Sequence, residues 1–390
     1  MFRPSLFRGL SADSSDGYDL DRSRRASLSA EQRRRLSMLR TASVPSPSTP
    51  VSHIYHMVPC PRKCCHQGDL SQQDKRCVFL TVHDLGTNHS SMVDFVNSPA
   101  MSEIKERSCF IHVDVPGHEE NSPDLPESYP FPSLQTLGED LITVLDFLHV
   151  RYAVGVGEGA GANVLARCGL AHPRRLLGLV LVNCTASTSS VADAFRSRFS
   201  RWRGTDISQS EEDFLIYHKF GHVSHETILY EYQQISSDSL SAGERERMLA
   251  EYRSRLRGNL NTHNIKQYVR AFINRKDLVL KGCQPDLLLI TGTLSPYSSV
   301  VERLYRELDK DKVTILKVDK VGDVLAEAPA KVAQSLLLFC QGQSMLTSLP
   351  PPGVERRMSR AMSMEEYDKP NIRRLSLTPS NTDSPPLRKL

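Results

Sequence analysis

The chain has no apolar run of the roughly 18 residues that a membrane helix needs. Its longest apolar stretch, Leu176 to Val182, is the length of a strand. The opening Met1-Phe2-Arg3-Pro4 lacks an apolar signal core, so a secreted form is not expected. Nine cysteines, an odd number without framework spacing, argue against a disulfide scaffold and for free thiols in a reducing compartment. A basic folded surface is also missing. The net charge is +4, but residues 1–50 carry nine arginines against five acids, and residues 343–390 carry eight bases against five acids. Residues 51–342 are left with 32 bases and 35 acids, a mildly acidic body that does not suit nucleic acid. The expectation is a soluble, intracellular protein.

What is present divides the 390 residues into three parts. Residues 1–50 and 343–390 are rich in Ser, Arg and Pro and cannot bury enough apolar surface to offset ordering entropy, so both read as disordered tails. Within the first, Ser29-Ala30-Glu31-Gln32 is a capping box that would open a short Arg-rich helix to about Arg40. Residues 51–342 should fold as one domain. There, strand-like runs at Cys77–His83, Cys109–Val115, Tyr152–Val156, Leu176–Val182, Leu287–Ile290 and Val313–Val318 alternate with helical patterns. Leu137, Leu141, Val144, Leu145 and Leu148 mark one such helix, and Pro329 opens the last. The fold class is α/β, with a mostly parallel sheet covered on both faces. Residues 186–275 interrupt the alternation with helical patterns alone, including one from the capping box Ser241-Ala242-Gly243-Glu244 to Gly258. An insert of that kind has the form of a helical cap over the carboxyl ends of the strands, where ligands bind.

Between the third strand and its helix, Gly157-Glu158-Gly159-Ala160-Gly161 has the skeleton of the G-x-S-x-G nucleophile elbow of α/β-hydrolases. Gly159 stands where the nucleophilic Ser would be. A dinucleotide-binding loop fits less well, because a pyrophosphate would meet Glu158. In these hydrolases the acid and the His follow in chain order. The acid position, after Leu287–Ile290, reads Gly292-Thr293-Leu294-Ser295-Pro296, with Ser295 in the acid's place. The His position, before the Pro329 helix, reads Gly322-Asp323. All three positions have lost their chemistry, so catalysis is not expected; without its triad such an enzyme keeps only about 10³–10⁴-fold over water. The turn His83-Asp84-Leu85-Gly86 resembles the oxyanion-hole segment, and His83, Asp84, Gly86, Asp114 and Glu158 are candidates for lining a pocket. A relocated nucleophile would have to come from Ser90, Ser91 or Ser295.

Cys60, Cys64, Cys65 and His66 could supply soft zinc ligands, but adjacent cysteines do not easily share one ion and no second knuckle exists. An exposed loop with free thiols is the simpler reading, with no metal and no cofactor expected. S-acylation beside Arg62 and Lys63 has no better support. The tails repeat a stronger motif. Arg-Arg-x-Ser occurs at Ser27, Ser37, Ser359 and Ser376, with a looser copy at Ser363, and never in residues 51–342. A basophilic Ser/Thr kinase with acidic pockets would read such sites in an extended chain. The unmodified basic tails would make at most weak, reversible contact with anionic membrane.

Taken together these residues resemble the N-myc downstream-regulated (NDRG) family. The resemblance rests on His83-Asp84-Leu85-Gly86-Thr87-Asn88-His89, His112-Val113-Asp114-Val115-Pro116-Gly117, Gly155 to Ala162, Leu179 to Asn183 and Gly292 to Pro296, and runs from about residue 53 to 342. It implies an α/β-hydrolase fold without hydrolase activity, and a cytoplasmic adaptor in stress-response, growth-control and differentiation signalling. It also implies signalling proteins as partners and phosphorylation of the C-terminal tail, which places Ser359, Ser363 and Ser376 ahead of Ser27 and Ser37. The alternative is a hydrolase or small-molecule sensor with a rearranged pocket.

Overall fold

A computed structural model describes residues 54–57, 63–187, 206–221 and 242–350. The tail serines, the Arg-rich segment at 29–40 and Cys60 lie outside the described residues. Among the described residues eight strands form one sheet in the order β1-β2-β4-β3-β5-β6-β7-β8. They are β1 Ile54–Met57, β2 Lys63–Gln67, β3 Cys77–Val82, β4 Ser108–Val113, β5 Ala153–Glu158, β6 Leu176–Val182, β7 Asp286–Gly292 and β8 Val313–Val318. From β4 to β8 every pairing is parallel, as the strand–helix alternation predicts, and β1 and β2 add an antiparallel edge.

Burial on both faces explains the near-continuous apolar strands. On β3, Val78, Leu80 and Val82 join one core layer while Cys77 and Phe79 join the other. Phe79 stacks on Phe110 of β4 with ring centroids 4.9 Å apart. Each fully buried Phe or Leu of this kind contributes about 1.5–3 kcal/mol of transfer free energy. The covering helices are α1 His89–Asn97, α2 Ser102–Glu106, α3 Leu134–Phe147 and α4 Gly159–Ala171 on the first half of the sheet. On α3, Ser133 caps the first turn by accepting from the Thr136 N–H, and Leu134, Leu137, Leu141, Val144 and Leu145 form its buried stripe.

The described part of the insert holds the helices α5 Gln209–Phe220, α6 Ala242–Gly258 and α7 Thr262–Ile273 and no strand. A capping box of Ser208 and Glu211 opens α5. After β7 come α8 Ser298–Glu307, the short α9 Val324–Glu327 and α10 Pro329–Gly342, which Pro329 starts. Among the described residues no helix is long and apolar enough to cross a membrane.

Two expectations are corrected. The segment expected as an exposed loop at Cys64, Cys65 and His66 is β2, paired to β1 on one side and β4 on the other, with His66 buried. The boundary expected at 342 is also too early. Leu349 is buried, Met345 and Leu346 pack on the same core layer, and Arg107 donates to the Ser348 hydroxyl at 2.9 Å. The chain folds on to residue 350 because α10 needs this segment to cover its apolar face.

Candidate functional site

Strands β4 and β5 lie on opposite sides of β3, so the loops after β3 and β5 diverge at one end of the sheet and leave a crevice. The elbow is there. Gly159 has φ +52°, the left-handed region that costs other residues strain and glycine little. A Cβ at Gly159 would fall inside the Asp84 carboxylate, which fills the place a nucleophile's side chain would take. Asp84 Oδ1 accepts from the Ala160 N–H at 2.8 Å. In a hydrolase the N–H following the nucleophile is an oxyanion-hole donor; here it is already bound to an anion.

The second Asp84 oxygen meets the cap. Asp84 Oδ2 lies 2.8 Å from His218 Nε2 on α5, and the other ring nitrogen of His218 meets the Tyr297 hydroxyl. Burial opposes the charge on Asp84, but His218, the Ala160 N–H and Lys219 together hold its carboxyl below the usual range.

One residue further along α5, Lys219 Nζ lies 2.7 and 2.8 Å from the two Glu158 oxygens and 2.9 Å from Asp323 Oδ2. This ammonium joins the elbow to the histidine position. Burial alone would push Lys219 down, but Asp323, Glu158 and Asp84 outweigh it and hold the amine protonated. Glu158 behaves oppositely: burial pushes its carboxyl up to about 8, with Asp323 and Asp84 adding to the rise and Lys219 opposing it. Asp323 Oδ1 also caps α9, accepting from the Leu325 and Ala326 N–H groups. At the acid position the Ser295 hydroxyl donates to Asn183 Oδ1 at 3.0 Å, an acceptor shared with Thr291. Ser295 therefore serves the end of β6 and β7.

The cap closes on this cluster without slack. A Cβ at Gly322 would run into the Phe220 carbonyl, so the loop carrying Asp323 meets the end of α5 backbone to backbone. Beside it a cleft of about 260 Å³ remains open between α1, α6 and the loops. Gly86 and Glu158 line it, and so do Lys219, Tyr252 and Asp323. The other three residues expected in the lining sit elsewhere. Asp84 lies beneath α5 as described. His83 is fully buried: its Nδ1–H donates to the Asp84 carbonyl and its Nε2 accepts from the Val115 N–H. Burial and the neighbouring His118 lower His83 to about 3, so the ring is neutral. Asp114 accepts from the backbone N–H and the ring of His89, both at 2.6 Å.

Ser90 donates to Glu120 and Ser91 to the Asn88 carbonyl. Among the described residues, no group of three His, Cys, Asp or Glu is placed to hold a metal ion. Sequence reasoning missed His218, Lys219, Tyr252 and Tyr297. The only signal was His218-Lys219 in the last turn of α5, where basic residues ordinarily complement the helix dipole.

Solved structures share this architecture. A hydrolase from Pseudomonas aeruginosa superposes with a TM-score of 0.54 at 18% identity, covering 75% of this chain and 99% of its own. A thermophilic esterase from Thermogutta terrifontis gives 0.55 at 14%, covering 75% and 99%. At such identities the likeness is one of fold, α/β-hydrolase. Sequence relatives are nearer. An uncharacterized protein of Caenorhabditis elegans is 38% identical over 80% of this chain and 90% of its own length. Protein NDRG3 of Xenopus laevis is 30% identical over 70% and 71%. The Ndr family profile matches residues 63–347, which include the elbow, the acid loop, the Asp323 loop and the described cap helices, and the chain belongs to the Ndr family.

Proposed function

We propose that the protein is a non-enzymatic adaptor of cytoplasmic signalling in stress response, growth control and differentiation, regulated by phosphorylation of its tails. The observation that carries the non-enzymatic half is the Asp84 carboxylate, which takes both the nucleophile's space and the Ala160 N–H. An acyl substrate would find no nucleophile at Gly159 and an oxyanion donor bound to a fixed negative charge, the reverse of the preorganisation that stabilises a tetrahedral intermediate. Lys219 and His218 close the same space from above. The regulatory half is supported by the four Arg-Arg-x-Ser copies confined to the tails, and the signalling role is an inference from family membership.

The catalytic half is tested with a serine-hydrolase activity probe and short acyl esters. The expected result is no labelling and no turnover above background. Turnover that disappears in Ser90→Ala or Ser295→Ala would overturn the reading. The regulatory half is tested by phosphopeptide mapping of Ser359, Ser363, Ser376, Ser27 and Ser37 from stimulated cells. Full coverage of the tail peptides with none of the five modified would remove it.

A further inference from the structure

Among the described residues the open cleft carries more acidic than basic side chains. Asp94, Glu120, Glu158, Glu251 and Asp323 line it there against Lys219 and Arg255. Each cation is shared by two carboxylates: Lys219 by Glu158 and Asp323, Arg255 by Asp94 at 2.7 Å and Glu251 at 2.6 Å. Glu120 adds a further charge on the same wall. Apolar surface lies between these groups, from Phe95, Phe220, Met248 and Leu260.

Tyr252 lines the cleft at 6% exposure, with its hydroxyl packed against Gly86. The fitting chemistry is a cation flanked by apolar side chains.

The chain contains such a segment. Ile372-Arg373-Arg374-Leu375-Ser376-Leu377 places two guanidiniums among three apolar residues. Chain length selects this copy over its neighbour. The described chain leaves the body near Leu349, which is anchored beside Arg107 and Cys77 at the amino ends of β4 and β3. The cleft lies past their carboxyl ends, a strand length of roughly 20 Å away. Arg356 follows Pro350 by six residues, roughly 20 Å at full extension, with nothing left to pass around the body. Arg373 follows by 23 residues, which span up to about 75 Å.

We infer that the cleft between α1 and α6 is the docking site of the chain's own residues 372–377, and that a phosphate on Ser376 expels them. The inference rests on the tail-regulated adaptor reading and gives it a mechanism. A phosphoserine brings about −1.5 to −2 charges into a cleft already rich in carboxylate, which disrupts by like-charge repulsion.

The test uses the full chain with a photoreactive benzoylphenylalanine in place of Leu375, and a second protein with it in place of Met358. Cross-links from position 375 are expected on residues 86–98 and 246–260, with none from position 358. Phosphorylation of Ser376 by a basophilic kinase should lower the yield on those peptides about tenfold, and so should Glu120→Lys combined with Glu251→Lys. Both acids are exposed, so the double variant should fold. The inference is overturned if the cross-links scatter over the surface, join two copies of the chain, or survive charge reversal. Equal cross-linking from position 358 also overturns it. Phosphate stoichiometry from the same samples separates the two failures. Ser376 modified without loss of cross-links ends the docking inference and leaves the phosphorylated adaptor standing, whereas a Ser376 that no basophilic kinase modifies removes its phosphate release.

Discussion

Lys219 is the residue on which the buried cluster depends, because among the described residues its ammonium bridges Glu158 and Asp323. Lys219→Met would leave the buried Asp323 carboxylate and the Glu158 carboxyl without their cation. Removing one partner of a buried pair costs about 3–5 kcal/mol, so a large fall in the denaturation midpoint is expected. Adding Asp323→Asn should recover part of the loss, since the stranded charge is then gone; chemical denaturation of both variants checks the order. The same residues set a pH dependence. Burial lowers His83 to about 3 and His118 to about 4, so from about pH 4 to 6.5 the unfolded chain binds protons that these rings refuse. Stability should rise with pH over that window, less what Glu158 and Asp114 subtract through their raised values. Above 6.5 the folded Glu158 keeps a proton the unfolded chain has lost, and His89, raised by Asp114 against its burial, acts in the same direction. Stability should therefore fall from pH 6.5 to about 8. Melting temperatures across this range are expected to peak near 6.5, and Glu158→Gln should flatten the alkaline side. A wild-type profile that climbs steadily to pH 8 would contradict the assignment.

Among the elements, those with strong periodicity are legible in the sequence. The stripe on α3 and the six parallel strands follow from apolar spacing, and α6 ends at Gly258 as its pattern predicts. The edge is not legible. Lys63-Cys64-Cys65-His66-Gln67 has no alternation to announce a strand, and it becomes one because β4 offers it a ladder. Residues 343–350 are misread for a related reason: their composition is that of a tail, but α10 and β3 present an apolar surface that Leu349 completes. A chain ending at 350 should accordingly melt at a higher temperature than one ending at 342. Leu349 alone is worth about 1.5–3 kcal/mol of burial, or roughly 2–5 °C for a domain of this size. Matching thermal midpoints for the two truncations would show that the segment contributes nothing.

The whole molecule is a hydrolase scaffold whose crevice is filled by its own charged groups. Restoring the triad by side chain alone should fail for that reason. In Gly159→Ser the new Cβ meets Asp84, in Ser295→Asp the side chain starts from a position directed at Asn183, and in Asp323→His the partner of Lys219 is lost. The triple variant is expected to hydrolyse short acyl esters no faster than the parent, and to be less stable. A rate clearly above the parent's background would show that the crevice can still be opened.

Several features were determined by the sequence alone. The parallel sheet, the helical insert and the chemistry at Gly159, Ser295 and Asp323 follow from local periodicity and from the fixed chain order of the three triad positions. Only the tertiary structure decided what occupies the site. Asp84 meets His218 across 134 positions of sequence and Glu158 meets Lys219 across 61. No local pattern encodes those pairings. In the sequence Lys219 is a basic residue at a helix end. It becomes the centre of an ion cluster because Gly322 lets α5 close against the sheet, and a buried ammonium persists only where carboxylates meet it.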